Sequence, residues 1–217
     1  MVDDRQYHGL VRRDVYSVLP QRVGRVLDFG GGYGLTAAAL KEERSAKSAV
    51  VVDLYADRAK VHPAVDAFEQ GDAGDPAFIA SLRERYGVFD TILCLDVLEH
   101  LADPWRAVAA LTTLLSEDGA MVASIPNVSH MSVMGPLVFK GEWKLVDAGI
   151  LDRTHLRFFV RATAIELMTS SGLKLEAVDA GYQWSWRGWK FVRRCLFGFG
   201  DRFFAAQYLI RVGRKGP

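Results

Sequence analysis

The chain has 217 residues and a mass of 24.1 kDa, room for one domain with at most an appendage at ~100–200 residues per domain. Half of its residues are apolar and 24% are charged; this composition excludes disorder, and a domain of this size needs neither metal nor disulfide to fold. A net charge of +1 excludes a general polyanion binder, and two cysteines, Cys94 and Cys195, exclude a disulfide framework and suit a reducing, cytoplasmic setting.

Met1 to Asp14 is polar and charged and lacks the apolar core of a secretory signal. No stretch approaches ~18 uninterrupted apolar residues. Strand and helix signals then alternate. Arg25–Phe29 is a short apolar run ending in Gly30-Gly-Gly-Tyr-Gly34, and Leu35–Glu43 reads as a helix. Ala49–Asp53 is a β-branched strand, Ala56–Val61 a helix start, and Phe68–Asp72 a short strand. Pro76–Tyr86 is a helix with Pro in its first turn, Phe89–Leu95 a fourth strand, Pro104–Leu115 a helix and Gly119–Ile125 a fifth strand stopped by Pro126. Near-continuous apolar strands separated by helices indicate a parallel sheet covered on both faces. The expected fold is therefore α/β, a doubly wound, mostly parallel seven-stranded sheet, with residues 1–217 as one domain.

After Pro126 the rhythm breaks. Asn127–Val160 reads as an irregular insertion punctuated by Gly135-Pro136, Gly141 and Gly149, and excursions of that length are usually functional. Thr163-Ala-Ile-Glu166 matches a capping box. The helix it starts should stop near Gly172, before a sixth strand at Leu173–Ala180 and a last one at Phe203–Val212.

The strongest chemical signal is Val26-Leu-Asp28-Phe-Gly30-Gly31-Gly32-Tyr-Gly34. A strand delivers its C-terminal end to a loop without Cβ atoms, so a ligand can approach the backbone, and the next helix offers N–H groups there. Asp28 would repel a pyrophosphate and attract an ammonium, which argues against a dinucleotide. Asp53 ends the second strand, where it can accept from both ribose hydroxyls, and Asp72 follows the third, where it can accept from an adenine amino group. Asp-x-Gly-x-Gly-x-Gly with these two later acids resembles the class I S-adenosylmethionine-dependent methyltransferases, over roughly residues 20 to 126. The resemblance implies S-adenosylmethionine as cofactor. Asp28 would hold its ammonium, Gly30, Gly31 and Gly32 would let the backbone pass it, and Asp53 with Leu54 would take the ribose. Asp72 with Ala73 would line the adenine, and Leu95 and Asp96 would border the methionine part. At Gly31 many relatives carry Cys; the expected effect is a looser loop that still meets the cofactor in the same way.

Asp96-Val-Leu-Glu99-His100 follows the fourth strand, and helical spacing lets Asp96, Glu99 and His100 share a face. In related small-molecule enzymes such a stretch shapes the pocket, which makes His100 a substrate-side residue. With a later histidine, His130 or His155, it resembles the cation site of small-RNA 2′-O-methyltransferases. The stretch offers fewer oxygens than hard ions take, so no metal is expected. Gly149-Ile-Leu-Asp152-Arg153-Thr-His155 and Ile125-Pro-Asn127-Val-Ser-His130 resemble a subgroup associated with cell-surface glycan assembly. That resemblance implies a substrate cap over 127–160, with Asn127 beside the transferring methyl and Arg153 over the pocket. His155, then His130, would be general base with Asp152 beside it, since imidazoles ordinarily titrate near neutral pH. The blander reading makes Asp152–Arg153 an internal ion pair and His155 a turn cap. No Asn-Pro-Pro-Tyr-like sequence follows the fourth strand, which argues against methylation of planar amides or exocyclic base amines.

The last segment, 182–217, carries a charge of +7 and leaves −6 on the rest. Ten aromatic residues lie between Tyr182 and Tyr208. One reading packs them around the last strand. Another lays Trp189, Phe191 and Phe199 with Lys190, Arg193 and Arg194 on an anionic membrane, as a peripheral protein acting on a lipid-linked glycan would. Stacking on nucleic acid is the least favoured. The expected activity is O-methylation of a small molecule, a sugar or glycan precursor. The rivals are metal-assisted RNA 2′-O-methylation and a cofactor-binding subunit without catalysis.

Overall fold

Runs of Val, Leu, Ile and Phe closed by glycine, proline or an acid become strands where the patterning places them. The computed structural model describes residues 10–72, 74–181 and 200–214. Its parallel strands are β1 (Arg25–Phe29), β2 (Ser48–Asp53), β3 (Ala67–Gln70), β4 (Phe89–Leu95) and β5 (Leu115–Pro126). β6 (Lys174–Gly181) and β7 (Gln207–Gly213) complete one seven-stranded sheet in the order β3-β2-β1-β4-β5-β7-β6. β7 runs antiparallel to both of its neighbours, β5 and β6.

The helices are α1 (Leu35–Arg44), α2 (Pro76–Tyr86), α3 (Pro104–Thr112), α4 (Met131–Lys140), α5 (Arg161–Thr169) and the single turn α6 (Asp201–Phe204). Asp75 and Asp103 cap α2 and α3, each with a Pro in the first turn, the side chain taking an otherwise unmet N–H. Leu27, Phe29, Ile92, Cys94, Met121 and Ala123 from the sheet meet Ile79, Leu82, Val108, Leu111 and Leu167 from the helices in the larger core cluster. Each of the Leu, Ile, Val, Phe and Met side chains among them contributes ~1.5–3 kcal/mol on burial. Burial also pushes the Cys94 thiol upward, which keeps it an inert hydrophobe.

Several boundaries differ from the sequence expectation. The insertion at 127–160 is not wholly irregular, because α4 forms within it despite Pro136. Ala56–Val61 gives only a 3-10 turn, Arg58–Lys60. Phe203 belongs to α6, so the last strand starts at Gln207. α5 begins at Arg161; Thr163 is its third residue rather than its N-cap, and its hydroxyl accepts the Val160 N–H. Residues 182–199, on which the membrane reading falls, lie outside the described residues, as do Ala73 and Cys195. Among the described residues, no helix is long and apolar enough to cross a membrane.

The order of strands reverses between β1 and β4, since β2 lies on one side and β5 on the other. Connections leave in opposite directions there and open a crevice at the carboxyl ends of the strands. The register sets Asp28 level with Val51 and Leu93, and Leu95 level with Ser124. Asp28, Asp53 and Asp96 therefore gather at one edge of the sheet.

Candidate functional site

That edge is the floor of a cleft of about 2030 Å³, larger than the ~300–1,000 Å³ of ordinary ligand pockets and wide enough for two molecules side by side. The glycine loop, Asp53–Tyr55 and Asp72 line one part; His100–Asp103, Arg106, Asp147–Ile150 and Asp152–Leu156 line another. Nine carboxylates and three guanidiniums face the cleft, so its field favours cationic ligands.

The loop is built around two requirements for bare backbone. Gly30 has φ of 76°, and a Cβ there would meet Val97 at 2.7 Å. At Gly31 a Cβ would lie 2.5 Å from the Asp28 carboxyl carbon. The missing side chain at Gly31 is the space that the Asp28 carboxylate uses. Asp28 is 1% exposed. The Ala37 N–H meets its carboxyl group, yet among the described residues Oδ2 has no hydrogen-bond partner. Burial, with the nearby Asp53 charge, pushes its pKa up to about 7.

Asp53 holds the loop from the next strand. Its Oδ2 accepts from the Gly32 N–H at 2.9 Å, and Oδ1 accepts from the N–H groups of Tyr55 and Ala56 at 2.8 Å. Each oxygen keeps lone-pair capacity toward the cleft. Asp72 lines the cleft but is exposed, and its Oδ1 accepts from the Gly74 N–H.

Asp96 takes a left-handed φ of 52°, which Asp tolerates. It accepts the Ser124 hydroxyl at 2.7 Å and pairs with the Arg12 guanidinium. Arg12, which also pairs with Asp14 and reaches Gln207 on β7, was invisible to sequence reasoning. It lies in a polar leader without a motif, and only the fold brings it to the cleft.

Glu99, His100 and His155 come together although 56 positions separate the outer two in sequence. The 3-10 turn Leu98–His100 presents the first two, and the Glu99 carbonyl holds the N–H groups of Leu156 and Arg157. His155 Nε2 lies 3.9 Å from Glu99 Oε1, and the two imidazole rings meet edge to face at 4.7 Å. Glu99 is 1% exposed, and among the described residues neither of its carboxylate oxygens has a hydrogen-bond partner. Burial and the Asp96 charge raise its pKa well above the usual range. Burial and the neighbouring His155 lower that of His100. Asp96, expected on the same face, is turned instead toward Arg12 and Ser124.

The remaining expectations divide. Asp152, Arg153 and His155 all line the cleft. The Asp152–Arg153 pair does not form: Arg153 binds Asp147 at 2.6 Å, and Asp152 accepts the Thr154 hydroxyl at 2.6 Å. Burial would raise Asp152, but those Thr154 hydrogen bonds hold it below the carboxylate norm. His130 is not on the cleft wall; its Nδ1 caps α4 by accepting the Ser132 N–H. Asn127 is fully buried and also off the wall. Its amide donates to the carbonyls of Arg202 and Ala205, and its Oδ1 accepts from the Ser129 N–H, so it ties the insertion to α6 and its C-cap, just ahead of β7. Asn127→Ala is expected to cost roughly 2–3 kcal/mol in urea unfolding, the scale of orphaned buried groups, with ligand affinity at the cleft unchanged.

Residues 4–178 match the family model described as a methyltransferase domain. A ubiquinone biosynthesis O-methyltransferase of Xylella fastidiosa (strain 9a5c) is 30% identical over 179 residues, covering 76% of this chain and 71% of that protein. One from Xanthomonas euvesicatoria pv. vesicatoria (strain 85-10) is 26% identical over 170 residues, covering 75% and 68%. Among solved structures, a SAM-dependent methyltransferase from Archaeoglobus fulgidus superposes with a TM-score of 0.64 at 17% identity over 96% of each chain. That likeness is one of fold.

Proposed function

Since the chain belongs to the methyltransferase-domain family and is an S-adenosylmethionine-dependent methyltransferase, we propose that it transfers the methyl group to a hydroxyl of a small molecule held under the 127–160 insertion. The observation that carries this reading is the His155 imidazole on the cleft wall. Its Nδ1 donates to the Ile150 carbonyl at 3.1 Å, which leaves the basic lone pair on Nε2. The relatives named as O-methyltransferases agree with it.

The glycine-loop end fits the cofactor. The orphaned Asp28 Oδ2 suits an ammonium, Gly30 and Gly31 leave room for close approach, and Asp53 can still accept from a ribose diol. Arg12, now shared by Asp14 and Asp96, can take a carboxylate. Bound there, the sulfonium supplies an activated methyl, so the protein needs chiefly to align the acceptor. A hydroxyl must also lose its proton, and His155 Nε2 is placed to take it.

The acceptor class expected from the sequence is a sugar or glycan precursor. The named relatives, O-methyltransferases of ubiquinone biosynthesis, point to a quinone precursor as the second class. The excess of carboxylates in the cleft disfavours acceptors that carry phosphate. Incubating the protein with methyl-labelled cofactor and fractionated cell extract tests the reading; label in an acid- and base-stable ether supports it. Label confined to amines, or none with cofactor bound, overturns it.

Asp28 gives a pH signature. Its folded pKa of about 7 lies above the usual 3.8, so the free protein holds a proton there that the unfolded chain has lost. The Asp28 contribution to stability is therefore present below pH ~4 and lost as pH rises through ~7. Cofactor binding has the opposite sense, because its cationic amino end favours the ionised carboxyl. Affinity by calorimetry should rise up to about tenfold from pH 6 to pH 8, and Asp28→Asn should flatten that rise.

A further inference from the structure

We infer that Glu99, His100 and His155 form a binding site for one divalent cation of the zinc class, opening onto the acceptor side of the cleft. The inference rests on hydrogen bonding behind the ligands. Thr154 gives its hydroxyl proton to Asp152 Oδ1 at 2.6 Å, so toward His100 it can only accept. His100 Nδ1 faces that hydroxyl at 3.2 Å and the Thr154 carbonyl at 3.3 Å. Both partners are acceptors, so the proton sits on Nδ1 and the lone pair on Nε2. His155 has the same tautomer, since its Nδ1 faces the Ile150 carbonyl. Two imidazoles are thus fixed from behind by backbone carbonyls, the outer-shell arrangement that orients metal-ligating histidines.

The third donor is the Glu99 carboxylate, buried and, among the described residues, without a hydrogen-bond partner at either oxygen. A buried carboxylate left so costs several kcal/mol unless it is neutralised or paired; a cation supplies that partner. One ligand atom from each residue lies within 4.8 Å of the others. Bonds of about 2.1 Å need donors roughly 3–4 Å apart, so a side-chain movement of about an ångström closes the site. Two imidazoles and one carboxylate suit a borderline divalent ion, whereas magnesium demands more oxygens. Three protein ligands leave a coordination position open, as in catalytic rather than structural sites.

For what the cation does, the inference rests on the proposed hydroxyl chemistry; for whether it binds, it does not. A hydroxyl oxygen in the open position loses its proton to water more readily. His155 is then a ligand, and it takes the proton itself only when the cation is absent.

The test is calorimetric titration of untagged, chelator-treated protein with zinc chloride, repeated with Glu99→Gln and His155→Gln. The expected result is one ion per chain in the parent, with affinity at least tenfold weaker in each variant and unaffected by millimolar magnesium. Cobalt chloride should give a visible absorption band that Glu99→Gln abolishes. Thermal unfolding and S-adenosylmethionine titration of the same samples show whether the variants fold and bind cofactor. No saturable zinc binding, undiminished binding in folded Glu99→Gln, or displacement by magnesium overturns the inference. Zinc silent with cofactor bound would sink the cation alone; zinc bound with no hydroxyl methylated would sink the acceptor reading alone.

Discussion

Asp53→Ala should weaken S-adenosylmethionine binding by about 3 kcal/mol, a change in Kd of more than a hundredfold. Two losses combine. The ribose diol loses the carboxylate expected to accept from it, at the ~1.5–3 kcal/mol typical of hydrogen bonds to charged groups. The backbone N–H groups of Gly32, Tyr55 and Ala56 lose the acceptors that now fix the loop beside the cofactor, so binding must also reorder that loop. Asp53→Asn keeps one acceptor oxygen and should fall between. Asp72→Ala, at an exposed residue whose carboxylate accepts from the Gly74 N–H, should change affinity by under about 1 kcal/mol. Calorimetry on the three variants checks the order. Equal losses at 53 and 72 would remove Asp53 from its assigned place.

His155→Ala should lower kcat by roughly 10²–10⁴-fold, the usual reach of a positioned proton acceptor, while cofactor Kd stays within a factor of about two. The residue lies on the cleft wall beside Glu99, away from the loop. His130→Ala is the contrast. That imidazole caps α4 and does not face the cleft, so its loss should reduce stability by about 1 kcal/mol, the worth of a helix cap, and leave kcat nearly unchanged. Single-turnover rates with the methylated product quantified distinguish the two. Comparable rate losses would return His130 to the chemistry and displace His155.

Much of the sheet was legible because parallel strands buried on both faces are nearly continuous apolar runs. Arg25–Phe29 and Phe89–Leu95 fall where the runs begin and end, and Pro76–Tyr86 is announced by its Asp and Pro. α4 was illegible because Gly135-Pro136 reads as a break. On an exposed helix, water can satisfy the carbonyl that Pro136 leaves without its bond, and the local rule loses. β5 starts at Leu115, four residues before the expected Gly119, since Glu117 and Asp118 extend into solvent where apolar alternation says nothing. The glycine loop and Asp53 are local features of strand ends and could be read directly. Arg12 and the buried bracing role of Asn127 could not, because their partners lie dozens of residues away; for Glu99 and His100 a resemblance offers His130 and His155 alike, and only the fold selects His155.

β7 lies between β5 and β6, although it is the last of the seven to be synthesised. While a nascent chain is still emerging from the ribosome, β6 has no hydrogen-bonding neighbour, and one edge of β5 stays bare. Half-made copies therefore present an unpaired strand of the kind that recruits other chains. Any stop codon upstream of Gln207 should yield an aggregating fragment rather than a weakened enzyme.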